Sequence, residues 1–244
     1  MATIRCLGHT FEHIQAVLFD KDGTLANVET YLIALGQLRS QLIEAEFPGL
    51  RPTLLSAFGL KGSAIDPAGL LAVGSRYENE IAAAACIAVT GQGWVAAIAI
   101  AQKAFRQAAS SLAPKVTQTP LLPGASSLLK QMKVAKVKLG IVSSDTHIEV
   151  AAFAEQYQLT EVSWYCGAAP DVLPKTHPDF LQIACEAMGV SPAATLVIGD
   201  SAADLALARQ GAAGFLGMTG GWQQAPHLDS AITVSRLAQV ESFI

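Results

Sequence analysis

The 244-residue chain is 51% hydrophobic and only 15% charged, which excludes an intrinsically disordered polypeptide and leaves ample material for a buried core. A net charge of -4 lacks the basic excess of a nucleic-acid binder. Four scattered cysteines, Cys6, Cys86, Cys166 and Cys185, have no metal-type spacing and read as reduced thiols of a cytoplasmic protein.

In chain order, Met1 to His13 has no apolar run behind a basic start, so no signal peptide is expected. Ala16-Val17-Leu18-Phe19 is a plausible buried parallel strand, and Asp20-Lys21-Asp22-Gly23-Thr24-Leu25 follows at once. Two carboxylates thus stand at the carboxyl end of a core strand, where open α/β sheets bind ligands. One of them can face a reacting centre while the other handles protons. Gly23 permits the turn, and the Thr24 hydroxyl is expected to hold it through nearby main chain. A calcium loop needs Glu at its twelfth position, but Tyr31 stands there.

Residues 26–119 read as an all-helical insert without strands. Leu32, Leu35, Leu38, Leu42 and Ile43 recur at helical spacing, and Pro48, Pro52, Gly59, Gly62, Pro67 and Gly69 divide the region. Ile81 to Ala101 is apolar, but Thr90-Gly91-Gln92-Gly93 interrupts it and much of it is alanine. It reads as two helices joined by a turn rather than a membrane span. Trp94 is expected to pack, or to line a substrate cavity.

Beyond the proline cluster Pro114, Pro120 and Pro123, helix and strand alternate. Helices are expected over 126–136, 147–158, 178–188 and 202–210, and strands over 139–142, 162–166, 195–198 and 214–216. The expected fold is α/β: a doubly wound, Rossmann-like parallel sheet built from 1–25 and 120–244, with the helical domain 26–119 inserted after the first strand. Asp145 is expected to cap the helix near His147. Trp164 and Trp222 read as packing residues, and Gly217 to Gly221 as a flexible loop near the site.

In such a sheet all carboxyl ends lie on one edge. Asp20 and Asp22, then Ser143, Ser144 and Asp145, then Lys175, then Asp200 and Asp204 would therefore converge. Four bare aspartates would repel one another, and a hard divalent cation such as Mg²⁺ relieves that repulsion. A lysine and a hydroxyl beside them suit a phosphoryl group, so the set suggests phosphoryl transfer.

These residues resemble, in order, the four motifs of the haloacid dehalogenase superfamily of hydrolases. Asp20-Lys21-Asp22-Gly23-Thr24 is similar to the first, Ser143 to the second, Lys175 to the third, and Gly199-Asp200-Ser201-Ala202-Ala203-Asp204 to the fourth. The chain departs from the family at Lys175-Thr176-His177-Pro178, where relatives often place proline directly after the lysine. The insert stands where subfamily I carries its cap, which closes over the site and shapes substrate choice.

The resemblance implies a phosphoglycolate phosphatase-like enzyme in which Asp20 is the nucleophile and forms an aspartyl-phosphate. Asp22 protonates the leaving group and then activates water. It further implies that Mg²⁺ is held by Asp20, the Asp22 carbonyl, Asp200 and Asp204. Ser143, the Ser144 amide and Lys175 bind the phosphoryl group, with Gly23 and Thr24 as supports. The expected partner is a small phosphorylated metabolite, phosphoglycolate or a sugar phosphate, with no nucleic acid or membrane and with oligomer formation open. A sugar phosphomutase, a dehalogenase and a silent phosphometabolite-binding protein are the alternatives. Asp22, Asp200 and Asp204 argue against the dehalogenase.

Overall fold

The computed structural model describes residues 2–229 and 232–243. The chain divides into two compact units, residues 1–27 with 120–244 and residues 28–119. The first division falls after Asn27 because the chain entering and the chain returning are tied together. Leu122 N–H donates to Leu25 O (2.7 Å), Asn27 N–H donates to Pro120 O (2.8 Å), and Ala26 bridges Leu121.

The first unit opens with a feature absent from the sequence expectation. Strands β1 (Ala2–Cys6) and β2 (His9–Ile14) form an antiparallel hairpin. Leu7 and Gly8 at its tip both have positive φ, 48° and 83°, the backbone that matches the twist of a two-residue hairpin. Next comes β3 (Ala16–Phe19), buried at all four positions.

The second unit follows: α1 (Glu29–Glu46), α2 (Arg51–Ala57), β4 (Leu60–Lys61), β5 (Ala64–Ile65), α3 (Leu70–Val73), α4 (Arg76–Ala88), α5 (Trp94–Ser111) and α6 (Lys115–Gln118). The pair β4 and β5, closed at Gly62 (φ 63°), corrects the expectation of a strand-free region. Two-residue strands are too short to show any alternation. Ser75 and Glu78 form a reciprocal capping box that starts α4. Buried Ala83, Ala84, Ala97, Ala101, Ala104 and Ala108 line α4 and α5, and Phe105 meets Phe58 edge-on at 6.1 Å. Trp94 is 48% exposed, against the expectation that it packs. Among the described residues no helix is long and apolar enough to cross a membrane.

The chain then returns to the first unit with α7 (Ala125–Val134), β6 (Lys138–Thr146), α8 (His147–Gln156), β7 (Val162–Ala168), α9 (Phe180–Met188), β8 (Thr195–Gly199), α10 (Ala202–Ala208), β9 (Gly214–Met218), β10 (Thr233–Val234) and β11 (Val240–Phe243). Six strands form a parallel sheet in the order β10-β9-β8-β3-β6-β7. A second sheet, β11-β1-β2, is antiparallel. Helices α9 and α10 bury Phe180, Leu181, Ala184, Cys185, Met188 and Leu207 against Leu18, Val142 and Val197 of the parallel sheet. Every position of β3 and β8 is buried, so both faces are covered and the strands read as apolar runs.

The register positions the site. Phe19 pairs with Ile141 on one side and with Ile198 on the other. Asp20 and Asp200 therefore leave neighbouring strands at one edge, beside Ser143 within β6.

Candidate active site

The turn after β3 is closed by main chain: Leu25 and Ala26 N–H both donate to Lys21 O (2.9 and 2.8 Å), and Gly23 N–H donates to Ala26 O (2.9 Å). Gly23 has φ 85°, and a Cβ there would collide with the Asp200 carboxylate and the Trp222 indole. Gly23→Ala is expected to cost about 1–2 kcal/mol from its backbone alone. The loss of the Trp222 contact adds to that cost, and a lowered urea midpoint reads out the sum. The Thr24 hydroxyl does not hold the turn as expected. It donates to Asp200 Oδ1 (3.0 Å), linking segments that are distant in sequence.

Asp20, Asp200 and Asp204 are buried, each offering a carboxylate oxygen within 4.8 Å of the others. Buried Lys175 donates to Asp20 Oδ1 and to Asp204 Oδ1 (2.8 Å). Asp204 Oδ2 accepts the Ser201 N–H (3.1 Å) and hydroxyl (2.6 Å), closing the capping box that starts α10. Asp200 Oδ2 accepts the Trp222 indole N–H (2.6 Å). Asp20 Oδ2 is buried and has no hydrogen-bond partner among the described residues.

One ammonium thus pairs with two of the three carboxylates. Burial, opposed by Lys175 and reinforced by Asp204, pushes the Asp20 carboxyl up to about 6. Asp200 is held well above the usual carboxylate range by burial and by the charges of Asp20 and Asp204. Burial alone would lower the Lys175 ammonium, but Asp20 and Asp204 outweigh it and hold it above its ordinary value.

The cluster fits a hard divalent cation. Its donors are all oxygens, without thiol or imidazole, and its positive charge falls short of its negative charge.

The remaining expected residues stand around this centre. Ser143 is buried, with its Oγ accepting the Asp145 N–H (3.1 Å), and Ser144 is half-buried. The Asp22 side chain pairs with Lys21, outside the carboxylate cluster. Asp145 is not the helix cap. Helix α8 starts at His147, so Thr146 holds the capping position and its Oγ1 accepts the Glu149 N–H (3.3 Å). Asp145, one residue earlier, pairs with Lys21 instead (2.8 Å).

Two residues acquire roles that were not legible. Trp222, expected to pack, bonds Asp200. Gln210 donates to Lys175 O (2.9 Å) and accepts the Leu181 N–H (2.9 Å), tying the lysine loop to α9. The glycine-rich segment is also not a loose loop. Gly217 and Met218 finish β9, and Gly221 lies directly against Gly23 O, so no Cβ fits between the two backbones. No periodic pattern carries such contacts, although a tryptophan beside paired glycines downstream of the fourth motif is a usable cue.

Comparison with known proteins places these features in a family. Residues 14–211 match the model for "haloacid dehalogenase-like hydrolase". The chain is 24% identical over 233 residues to a phosphoglycolate phosphatase of Chromobacterium violaceum, covering 94% of this chain and 96% of that protein. Among solved structures, it is similar to a protein provisionally named a haloacid dehalogenase-like hydrolase, from Bacteroides fragilis. That match has a TM-score of 0.65 and 19% identity over 93% of this chain and 99% of the other. It is also similar to a subfamily IA hydrolase of the same superfamily from Geobacter sulfurreducens, with a TM-score of 0.57 and 18% identity over 92% and 93%.

Proposed function

The chain belongs to the haloacid dehalogenase-like hydrolases, and from that premise we propose that it is a Mg²⁺-dependent phosphatase of a small phosphorylated metabolite. The observation that carries this reading is Asp20 Oδ2. It is a buried carboxylate oxygen without a hydrogen-bond partner among the described residues, at the carboxyl end of the central strand, on a residue held by Lys175. A carboxylate oxygen that accepts no donor keeps a lone pair for attack on phosphorus.

In this reading Asp20 Oδ2 attacks phosphorus. The bond from phosphorus to the ester oxygen breaks as the aspartyl-phosphate forms, and Asp22 gives its proton to the departing oxygen. Water then attacks phosphorus and gives a proton back to Asp22. The bond from Asp20 to phosphorus breaks, releasing inorganic phosphate and restoring both aspartates. Lys175, the Ser143 hydroxyl and the Ser144 amide bind the phosphoryl oxygens. Asp20, Asp200, Asp204 and the Asp22 carbonyl would hold Mg²⁺, which supplies neutralisation of charge on the phosphoryl group. Residues 28–119 take the family role of a substrate-selecting cap. Phosphoglycolate and sugar phosphates are the proposed substrate class, and the phosphoglycolate phosphatase of C. violaceum supports the first of these. Four free cysteines support a reducing, cytoplasmic setting.

The test is phosphate release from 2-phosphoglycolate and a set of sugar phosphates, with Mg²⁺ and with chelator. Release that falls to background on chelation is the expected outcome. Isomerisation of a hexose 1-phosphate without release would make the protein a mutase. Metal-independent release would remove the cation from the reading.

A further inference from the structure

The residue between the two leading aspartates, Lys21, is only 1% exposed. Its ammonium pairs with Asp22 Oδ1 and with Asp145 Oδ2 (2.8 Å), and it lies 5.3 Å from the centre of the Phe153 ring. A buried ammonium is expensive unless it is paired, whereas an apolar side chain of the same length would fill this space without that cost. The two carboxylates are largely withdrawn from water as well, with side chains 13% and 21% exposed. The backbone is equally constrained, since Lys21 O accepts the hydrogen bonds of Thr24, Leu25 and Ala26 N–H that close the turn carrying Asp22. Asp145 comes from β6, the strand beside β3. The lysine therefore ties the first motif to the second.

We propose that Lys21, anchored on Asp145, is a positioning residue that orients the Asp22 carboxyl for proton exchange with the leaving group. This inference rests on the reading of Asp22 as the proton donor. The cation that holds Asp22 is separate from Lys175, which serves Asp20 and Asp204. A fourth carboxylate is thereby kept apart from the cluster of three.

The test is the dependence of rate on leaving group. The departing oxygen of an alkyl phosphate needs a proton, whereas p-nitrophenolate leaves without one. Steady-state kinetics are measured for the native protein, Lys21→Met, Asp145→Asn and Asp22→Asn on the best alkyl phosphate and on p-nitrophenyl phosphate. For Asp22→Asn, kcat should fall about 10²–10⁴-fold on the alkyl ester and much less on the aryl ester. Lys21→Met should show the same split at about 10–100-fold, with KM little changed, and Asp145→Asn a weaker version. Retained circular dichroism, and retained beryllofluoride binding with Mg²⁺, show that the fold and phosphoryl site are intact. Should Lys21→Met not fold, the Asp145→Asn split decides.

Equal losses on both esters, or no loss, for Lys21→Met and Asp145→Asn while Asp22→Asn shows the split would overturn this inference alone. Absence of the split in Asp22→Asn would remove the proton-donor reading and this inference with it.

Discussion

Asp20→Asn is expected to lower phosphate release on the order of 10⁴-fold or more, with substrate affinity changed only a few-fold. The substitution keeps volume and planarity. Its amide oxygen can still accept from Lys175, and its NH₂ takes the position of Oδ2, which has no donor to lose. The phosphoryl group should therefore still bind at Lys175 and Ser143. An amide, however, is not nucleophilic enough to displace an alkoxide from phosphorus. Rapid-quench phosphate release and a mass measurement of acid-trapped protein check this. The native chain should carry one phosphoryl adduct during turnover, and the variant none. Survival of a tenth of the native rate would mean that another group attacks phosphorus.

The second large effect is a dependence of metal-free stability on pH that runs opposite to that of an ordinary salt-bridged aspartate. The Asp20 carboxyl is raised from 3.8 to about 6, chiefly by burial. A raised carboxyl favours folding fully below its unfolded value, and that contribution is lost as pH climbs through the folded value. Between about pH 4 and 6 the unfolded chain releases its proton first, so Asp20 alone removes about 3 kcal/mol of stability across this window. Asp200, raised for the same reason, acts in the same direction. Lys175 does not compensate here. Its raised ammonium contributes stability that is fully present below 10.5 and is lost only above it.

Mg²⁺ binding to the ionised carboxylates should reverse the loss, adding about 2.7 kcal/mol at a hundredfold excess over its Kd. Urea unfolding of the native chain and Asp20→Asn, with chelator and with Mg²⁺, measures both effects. The native protein should lose stability relative to Asp20→Asn from pH 4 to 6.5, and its Mg²⁺ increment should be small at pH 4.5 and large at pH 7.5. An increment independent of pH would show that the cation binds elsewhere or that the carboxylates are already ionised.

The two effects share a cause that bears on how the site was read. Asp20, Asp200 and Asp204 were legible because they stand just past an apolar run or at a helix start, and Lys175 because it lies in the loop between a strand and a helix; those patterns are local. Their polar types at successive strand ends implied convergence before any distance was known. The positions that escaped depend on contacts between distant segments. Lys21 carries no local cue to burial, and it is buried because Asp145 and Phe153 arrive from β6 and α8. Trp222 looked like core, and its indole reaches Asp200 only because Gly221 and Gly23 let two backbones touch.

The antiparallel sheet was hidden for a related reason. Its tip is Leu7-Gly8 rather than a standard turn pair, and its third strand comes from the far end of the sequence. Local chemistry alone thus determined the strand–helix alternation, the motif acids and the family resemblance, since propensity, burial pattern and turn residues act over a few positions. Tertiary structure decided which charges pair, which oxygen of Asp20 is left without a donor, and how far burial shifts its proton. Those are sums over neighbours that only the folded chain brings together.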